Sequence, residues 1–201
     1  MVSPRKPDFK KLIAAVADAL NKQELPFMLI GGQAVLLHGQ PRLTEDIDIT
    51  LGISPDELPR VLQVCEDLCL EVLPSDVEAF VRDTYVLPAR EPGSSIRIDF
   101  IFSSLSYERQ AIDRAVHIRF ANTTVPFASP EDLILHKLFS ARPRDHEDIQ
   151  GVVRIQGGKV DWGYIEKWAK EFAAIPGQEK LPDQVSEIRS AAKRPDDHFI
   201  R

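Results

Sequence analysis

The six residues Asp46-Ile47-Asp48-Ile49-Thr50-Leu51 constrain this 201-residue chain more than any other stretch. Carboxylate and aliphatic side chains alternate strictly, which is the period of a β-strand. Residues two apart in a strand point to the same face, with Cα atoms ~6.5–7 Å apart. Asp46 and Asp48 therefore project side by side, while Ile47 and Ile49 point into the core. Two carboxylates held together repel unless a positive charge sits between them. A divalent cation supplies it, and oxygen-only ligands favour Mg²⁺ or Mn²⁺ over Zn²⁺.

A third acid stands in a similar setting. In the predicted strand 95–102, Ile96, Ile98, Phe100 and Phe102 take one face and Arg97 and Asp99 the other. A buried, unpartnered Asp costs several kcal/mol, so Asp99 reads as a ligand or as a salt-bridged residue. If this strand lies beside the Asp46 strand, three carboxylates converge. Such a cluster can hold two cations ~3.5–4 Å apart, which suits in-line phosphoryl or nucleotidyl transfer.

Upstream, Phe27-Met28-Leu29-Ile30 reads as a buried strand ended by Gly31-Gly32, with helix from Ala34 to Gly39. Glycines at a strand-to-helix junction expose backbone N–H groups at a positive helix end, a setting that suits a triphosphate. The rest of the chain reads as helix over 8–23, 55–70 and 76–83, and strand over 84–88, 116–120 and 123–127. Ser129-Pro130-Glu131-Asp132 is a helix start, and Arg142-Pro143 breaks that helix. From 144 onward the pattern is helical, with loops near Gly157-Gly158, Pro176-Gly177 and Pro182. We expect an α/β fold: a small mixed β-sheet flanked by helices, with 1–128 as the catalytic domain and 129–201 as a helical C-terminal region packing on it.

Composition narrows the partners. Lys and Arg total 25 against 31 Asp and Glu, a net charge of −6, so bulk positive charge cannot hold nucleic acid. No apolar run is long enough for a membrane span, and the N-terminus lacks a secretory pattern, which points to the cytoplasm. Cys65 and Cys69 read as reduced thiols on one face of a helix. The five histidines do not fall at metal-binding spacings and read as non-catalytic. Trp162, Tyr164, Ile165 and Trp168 read as the packing face of a late helix.

The apolar-Gly31-Gly32 element, the spacer, Asp46-Ile47-Asp48-Ile49 and the later strand acid resemble the polymerase-β-type nucleotidyltransferase superfamily. Arg42-x-Thr44-x-Asp46-Ile47-Asp48 is similar to its AbiEii-like and MenT-like branch, which includes toxins of toxin–antitoxin systems. So is Lys137 followed by Arg144-Asp145-His146-Glu147-Asp148. The resemblance covers residues 26–150. It implies that Asp46, Asp48 and Asp99 bind Mg²⁺ or Mn²⁺, with Asp99 helping to activate an attacking hydroxyl. Gly31 and Gly32 would hold the phosphates of an NTP, Arg42 and Thr44 would line the nucleotide, and an exposed Lys137 would reach the triphosphate. An NMP would pass to a hydroxyl on tRNA, a protein or a small molecule such as an aminoglycoside, and an antitoxin could be a partner. Asp145 and Asp148 read equally as acids of a first helical turn.

Two rivals stand beside this reading. Asp46-Ile47-Asp48-Ile49-Thr50 also fits the signature of the haloacid-dehalogenase-like phosphatases. That signature needs an apolar strand just before the first Asp, and Pro41-Arg42-Leu43-Thr44-Glu45 is not one. The other rival is a non-catalytic protein of the same fold that binds nucleotide or a protein partner.

Overall fold

The computed structural model of the chain describes residues 8–103, 105–120 and 122–192. Helix α1 (Phe9–Lys22) is capped by Asp8, whose carboxylate accepts from the Lys11 N–H at 3.1 Å. It leads through β1 (Phe27–Leu29) into α2 (Gly31–His38) and β2 (Asp46–Leu51). A 3₁₀ turn at Pro55–Glu57 precedes α3 (Leu58–Asp67), followed by β3 (Glu71–Val72), α4 (Val77–Thr84), β4 (Val86–Arg90) and β5 (Arg97–Ile101). Then come α5 (Ser106–Asp113), β6 (Val116–Phe120) and β7 (Thr123–Phe127). The remainder is helical: α6 (Pro130–Ser140), α7 (Pro143–Gln156), α8 (Trp162–Phe172) and α9 (Leu181–Ala192).

The strands form one mixed sheet in the order β3-β4-β5-β2-β1-β7-β6. Pairs β2–β5 and β1–β7 are parallel and the other neighbours are antiparallel. The expected small mixed sheet with flanking helices is what the chain builds. One sheet face is made by period-2 positions of three adjacent strands. Ile47 lies opposite Ile98 and Ile98 opposite Ala89, while Ile49 lies opposite Phe100 and Phe100 opposite Leu87. All six are fully buried. Each of the larger side chains contributes about 1.5–3 kcal/mol when removed from water.

The chain divides into two compact units. The first holds the chain up to Ala34 together with Leu43–Ser129, and so contains the whole sheet. The second holds Val35–Arg42 and the chain from Pro130 onward. A short excursion through 35–42 thus groups with the C-terminal helices. Within the second unit Ile165, Trp168 and Phe172 of α8 are buried, with Phe172 meeting Phe139 edge-on at 5.5 Å.

Some local expectations change. Gly31 and Gly32 form the first turn of α2 instead of a loop before it. Cys69 lies beyond α3 at φ 53 and is exposed, so it does not share the face of buried Cys65. Burial pushes the Cys65 thiol up to about 12. Strand β4 starts at Val86 because α4 runs through Thr84 and Tyr85 turns left-handed, φ 59. Pro182 lies in the first turn of α9, where its missing N–H is no loss, instead of in a loop.

Candidate functional site

The first unit gathers the acids. Strand β2 runs parallel to β5 with Asp46 opposite Arg97 and Asp48 opposite Asp99. Paired strands lie ~4.8 Å apart, so Asp48 and Asp99 leave neighbouring backbones on the same sheet face. Asp46 is one pleat away on that face. Arg97 Nε donates to Asp99 Oδ1 at 2.8 Å, and the Asp99 side chain is 17% exposed against 52% for Arg97. That hydrogen bond, with the charges of Asp99, Asp46 and Asp48 adding to it, holds the Arg97 guanidinium above its ordinary value.

The glycines abut the acids. Gly31 has φ +59, a region side chains rarely adopt. A Cβ there would collide with Asp48 Oδ2 and lie 2.7 Å from Asp48 Cγ. A Cβ on Gly32 would lie 2.7 Å from the Cβ of Thr44. Thr44 Oγ1 donates to Asp46 Oδ1 at 2.9 Å, and Gln33 Nε2 reaches the Asp46 carbonyl at 3.4 Å. The first turn of α2 is thus pressed against Asp48 and Thr44 with no side chain between. Orphan N–H groups of that turn and the positive end of the helix favour an anion.

The second unit holds the other predicted residues. Arg42 grips Asp148 with two bonds, Nε to Oδ1 at 2.8 Å and a terminal nitrogen to Oδ2 at 3.0 Å. Lys137 Nζ lies 2.7 Å from Asp145 Oδ1 and 2.9 Å from Asp148 Oδ2. Asp145 also accepts from the Ser140 hydroxyl and from the Arg142 N–H. Burial alone would raise both carboxyls. Bonds from Lys137 and Ser140 to Asp145, and from Arg42 and Lys137 to Asp148, outweigh it and hold both below the ordinary range. The expected exposed lysine is instead 11% exposed and bound to two carboxylates. Asp145 does sit in the first turn of α7, as a helix-start acid would.

His136 is buried in α6, and desolvation lowers it to about 4, so it stays neutral near pH 7. Its neighbour Asp132 accepts from the Tyr164 hydroxyl at 2.7 Å. Sequence reasoning assigned no role to Gln33. Its only signal was its place directly after the glycine pair. Arg97 was visible on the Asp99 face, and the register now gives it a partner.

An all-oxygen donor set of Asp46, Asp48 and Asp99 suits a hard divalent cation. Asp46 and Asp48 fit such an ion by spacing, and Asp99 fits by register but is engaged by Arg97. Among the described residues no three or more His, Cys, Asp or Glu side chains are, as they stand, grouped so as to hold a metal ion.

Comparison with known proteins places the chain in a family. Residues 8–193 match the family described as "Nucleotidyltransferase of unknown function (DUF6036)", so the chain belongs to that nucleotidyltransferase family. No curated protein matches the sequence. Among solved structures the fold is similar to that of the antibiotic-resistance factor ANT(2'')-Ia, at TM-score 0.55 and 19% identity, covering 85% of this chain and 96% of that one. It is similar also to the lincosamide antibiotic adenylyltransferase LnuA in its lincomycin-bound form. There the TM-score is 0.52 and the identity 20%, with 75% of this chain and 99% of that chain covered. A third likeness is to an antigenic nucleotidyltransferase-like protein from Paracoccidioides brasiliensis, at TM-score 0.51 and 17% identity, covering 87% and 91%. At these identities the likeness concerns the fold. Among the described residues no helix is long and apolar enough to cross a membrane.

Proposed function

We propose that this protein transfers a nucleoside monophosphate from an NTP to a hydroxyl acceptor, with Mg²⁺ or Mn²⁺ bound at Asp46, Asp48 and Asp99. The observation that carries the reading is the β2–β5 register, which sets Asp48 opposite Asp99, together with Gly31 pressed against Asp48. Carboxylates and a bare helix turn then serve the same triphosphate. The bound cations would supply charge neutralisation at the phosphates, which these acids alone cannot give.

The chain's own groups do the rest. Backbone N–H groups of Gly31 and Gly32 take phosphate oxygens, and the absence of Cβ atoms lets them approach. Thr44 fixes the Asp46 carboxylate through its 2.9 Å bond, so that Asp46 is oriented before substrate arrives. Asp99 accepts the proton of the acceptor hydroxyl. The deprotonated hydroxyl oxygen of the acceptor bonds to the α-phosphorus as the bond from that phosphorus to the oxygen bridging the β-phosphate breaks, and pyrophosphate leaves. The resemblance also assigns Arg42 and Lys137 to the nucleotide; in this chain their charges are taken up by Asp148, and by Asp145 for Lys137. The domain assignment, catalytic α/β part to 128 and helical part after it, belongs to this reading.

Three acceptor classes fit: a tRNA end, a protein side chain and a small hydroxylated molecule. Incubation with α-labelled NTPs, Mg²⁺ and cell extract tests the reading and sorts the classes. Label in RNA, in protein or in the small-molecule fraction names the acceptor. No label with any of the four NTPs, under conditions where nucleotide binds, overturns transfer in favour of a nucleotide-binding protein. The AbiEii-like and MenT-like placement, with a toxin role and a cytoplasmic antitoxin partner, rests on the Arg42-to-Asp48 and Lys137-to-Asp148 segments. Growth arrest on expression tests it.

A further inference from the structure

We infer that Arg97 is a resident counter-ion of the acid cluster, one that a divalent cation must displace from Asp99 before all three carboxylates can act together. The inference rests on the metal-dependent reading above and adds a residue to it.

The geometry is specific. Arg97 and Asp99 are two apart on β5 and so share a face, and Arg97 lies opposite Asp46 in the register. Its Nε–H is bonded to Asp99 Oδ1 at 2.8 Å. The guanidinium is half exposed while the carboxylate it covers is only 17% exposed. A plain surface ion pair would have both partners in water. Here a half-exposed cation is bonded to a mostly buried acid, on the sheet face that Asp46 and Asp48 share by register.

Two cations cannot share that carboxylate without repulsion. A 2+ ion about 5 Å from a guanidinium is repelled by a few kcal/mol even at high effective dielectric. Nucleotide-free protein should therefore bind the ion weakly. An NTP reverses the balance, because its phosphates attract both the ion and the released guanidinium. Arg97 thereby makes metal occupancy depend on nucleotide. It is a positioning residue: it acts on Asp99, and Asp99 acts on the reaction.

The test is Mn²⁺ binding, read by the loss of free-ion EPR signal, with and without a non-hydrolysable NTP analogue. Wild type, Arg97→Gln, Arg97→Lys and Asp99→Asn are compared as full chains. Half-exposed Arg97 can be replaced without disturbing the core, and thermal melts check this. We expect Arg97→Gln to bind Mn²⁺ about ten-fold more tightly than wild type without nucleotide. With the analogue the two should agree within about two-fold. Arg97→Lys, which keeps the charge and loses the Nε bond, should fall between. Asp99→Asn should weaken binding in both states. Equal or weaker Mn²⁺ binding by nucleotide-free Arg97→Gln overturns the role of Arg97 and leaves the nucleotidyltransferase reading intact. Absence of Mn²⁺ binding by every form, with and without the analogue, overturns that reading, and this inference falls with it.

Discussion

Both units of the molecule concentrate carboxylates, but they arrange them in opposite ways. In the helical unit Asp145 and Asp148 alternate with cations: Lys137 bridges the two acids, and Arg42 takes the far side of Asp148 with two bonds. In the sheet unit Asp46 precedes Asp48 by one pleat, and Asp48 faces Asp99 across the strand pair. Alternation satisfies buried charge and makes structure. In the sheet unit Arg97, bonded to Asp99 at 2.8 Å, is the cation among three neighbouring acids, so negative charge is in excess there. The same residue type therefore reads as scaffold in one unit and, under the proposed function, as chemistry in the other.

The largest effect should come from breaking the adjacent acids. Asp46→Asn keeps the shape and can still accept the Thr44 hydroxyl. It should lower label transfer on the order of 10³-fold, comparable to losing a main electrostatic stabiliser of the transition state. The melting temperature should stay nearly unchanged, as for substitutions away from packed features. A large fall in stability would show that this cluster is structural after all.

Breaking the alternating acids should do the reverse. Lys137→Met leaves two buried carboxylates short of a cation and should cost about 3 kcal/mol in urea unfolding. A stability equal to wild type would mean that Lys137 is spare and its charge is used elsewhere. Gly31→Ala is intermediate. The +59° φ and the collision with Asp48 should cost about 2 kcal/mol and weaken NTP binding, measured by nucleotide titration.

The smallest effect is with pH. Asp145 and Asp148 are depressed in the folded state. Their contribution is therefore complete above the unfolded value near ~4 and is lost as pH falls through it toward the folded values. Thermal melts between pH 7 and 3 should show wild type losing stability below about 4 and Lys137→Met losing less there. Parallel curves would put the acid sensitivity elsewhere.

How far the sequence foretold this follows from how local each signal is. Strand β2 and its paired acids were legible because period-2 alternation is written in six consecutive residues. The facing of Asp48 and Asp99 was not, because register is a property of two distant segments. Lys137 looked like surface because its partners lie on the next helix. Its neighbours Leu133, Ile134 and Leu138 mark the buried side, but nothing local marks an ion pair. Helix α5 left little trace, since only Tyr107 and Ala111 of its eight residues are buried. Strand β3, two residues long, has no room for a period. Cys69 was misplaced because a four-residue spacing says nothing about a left-handed turn that ends the helix before it.

The parallel pairing of β2 with β5 has a further consequence, in time rather than in space. Parallel neighbours cannot be joined by a tight turn, and here the crossover carries α3, β3, α4 and β4. Such non-local pairing forms late, after its connecting elements. During synthesis Asp46 and Asp48 leave the ribosome long before Asp99 exists. The growing chain is therefore without the complete three-acid cluster until β5 docks, so under the proposed function the capacity to gather metal and triphosphate would arrive with that strand.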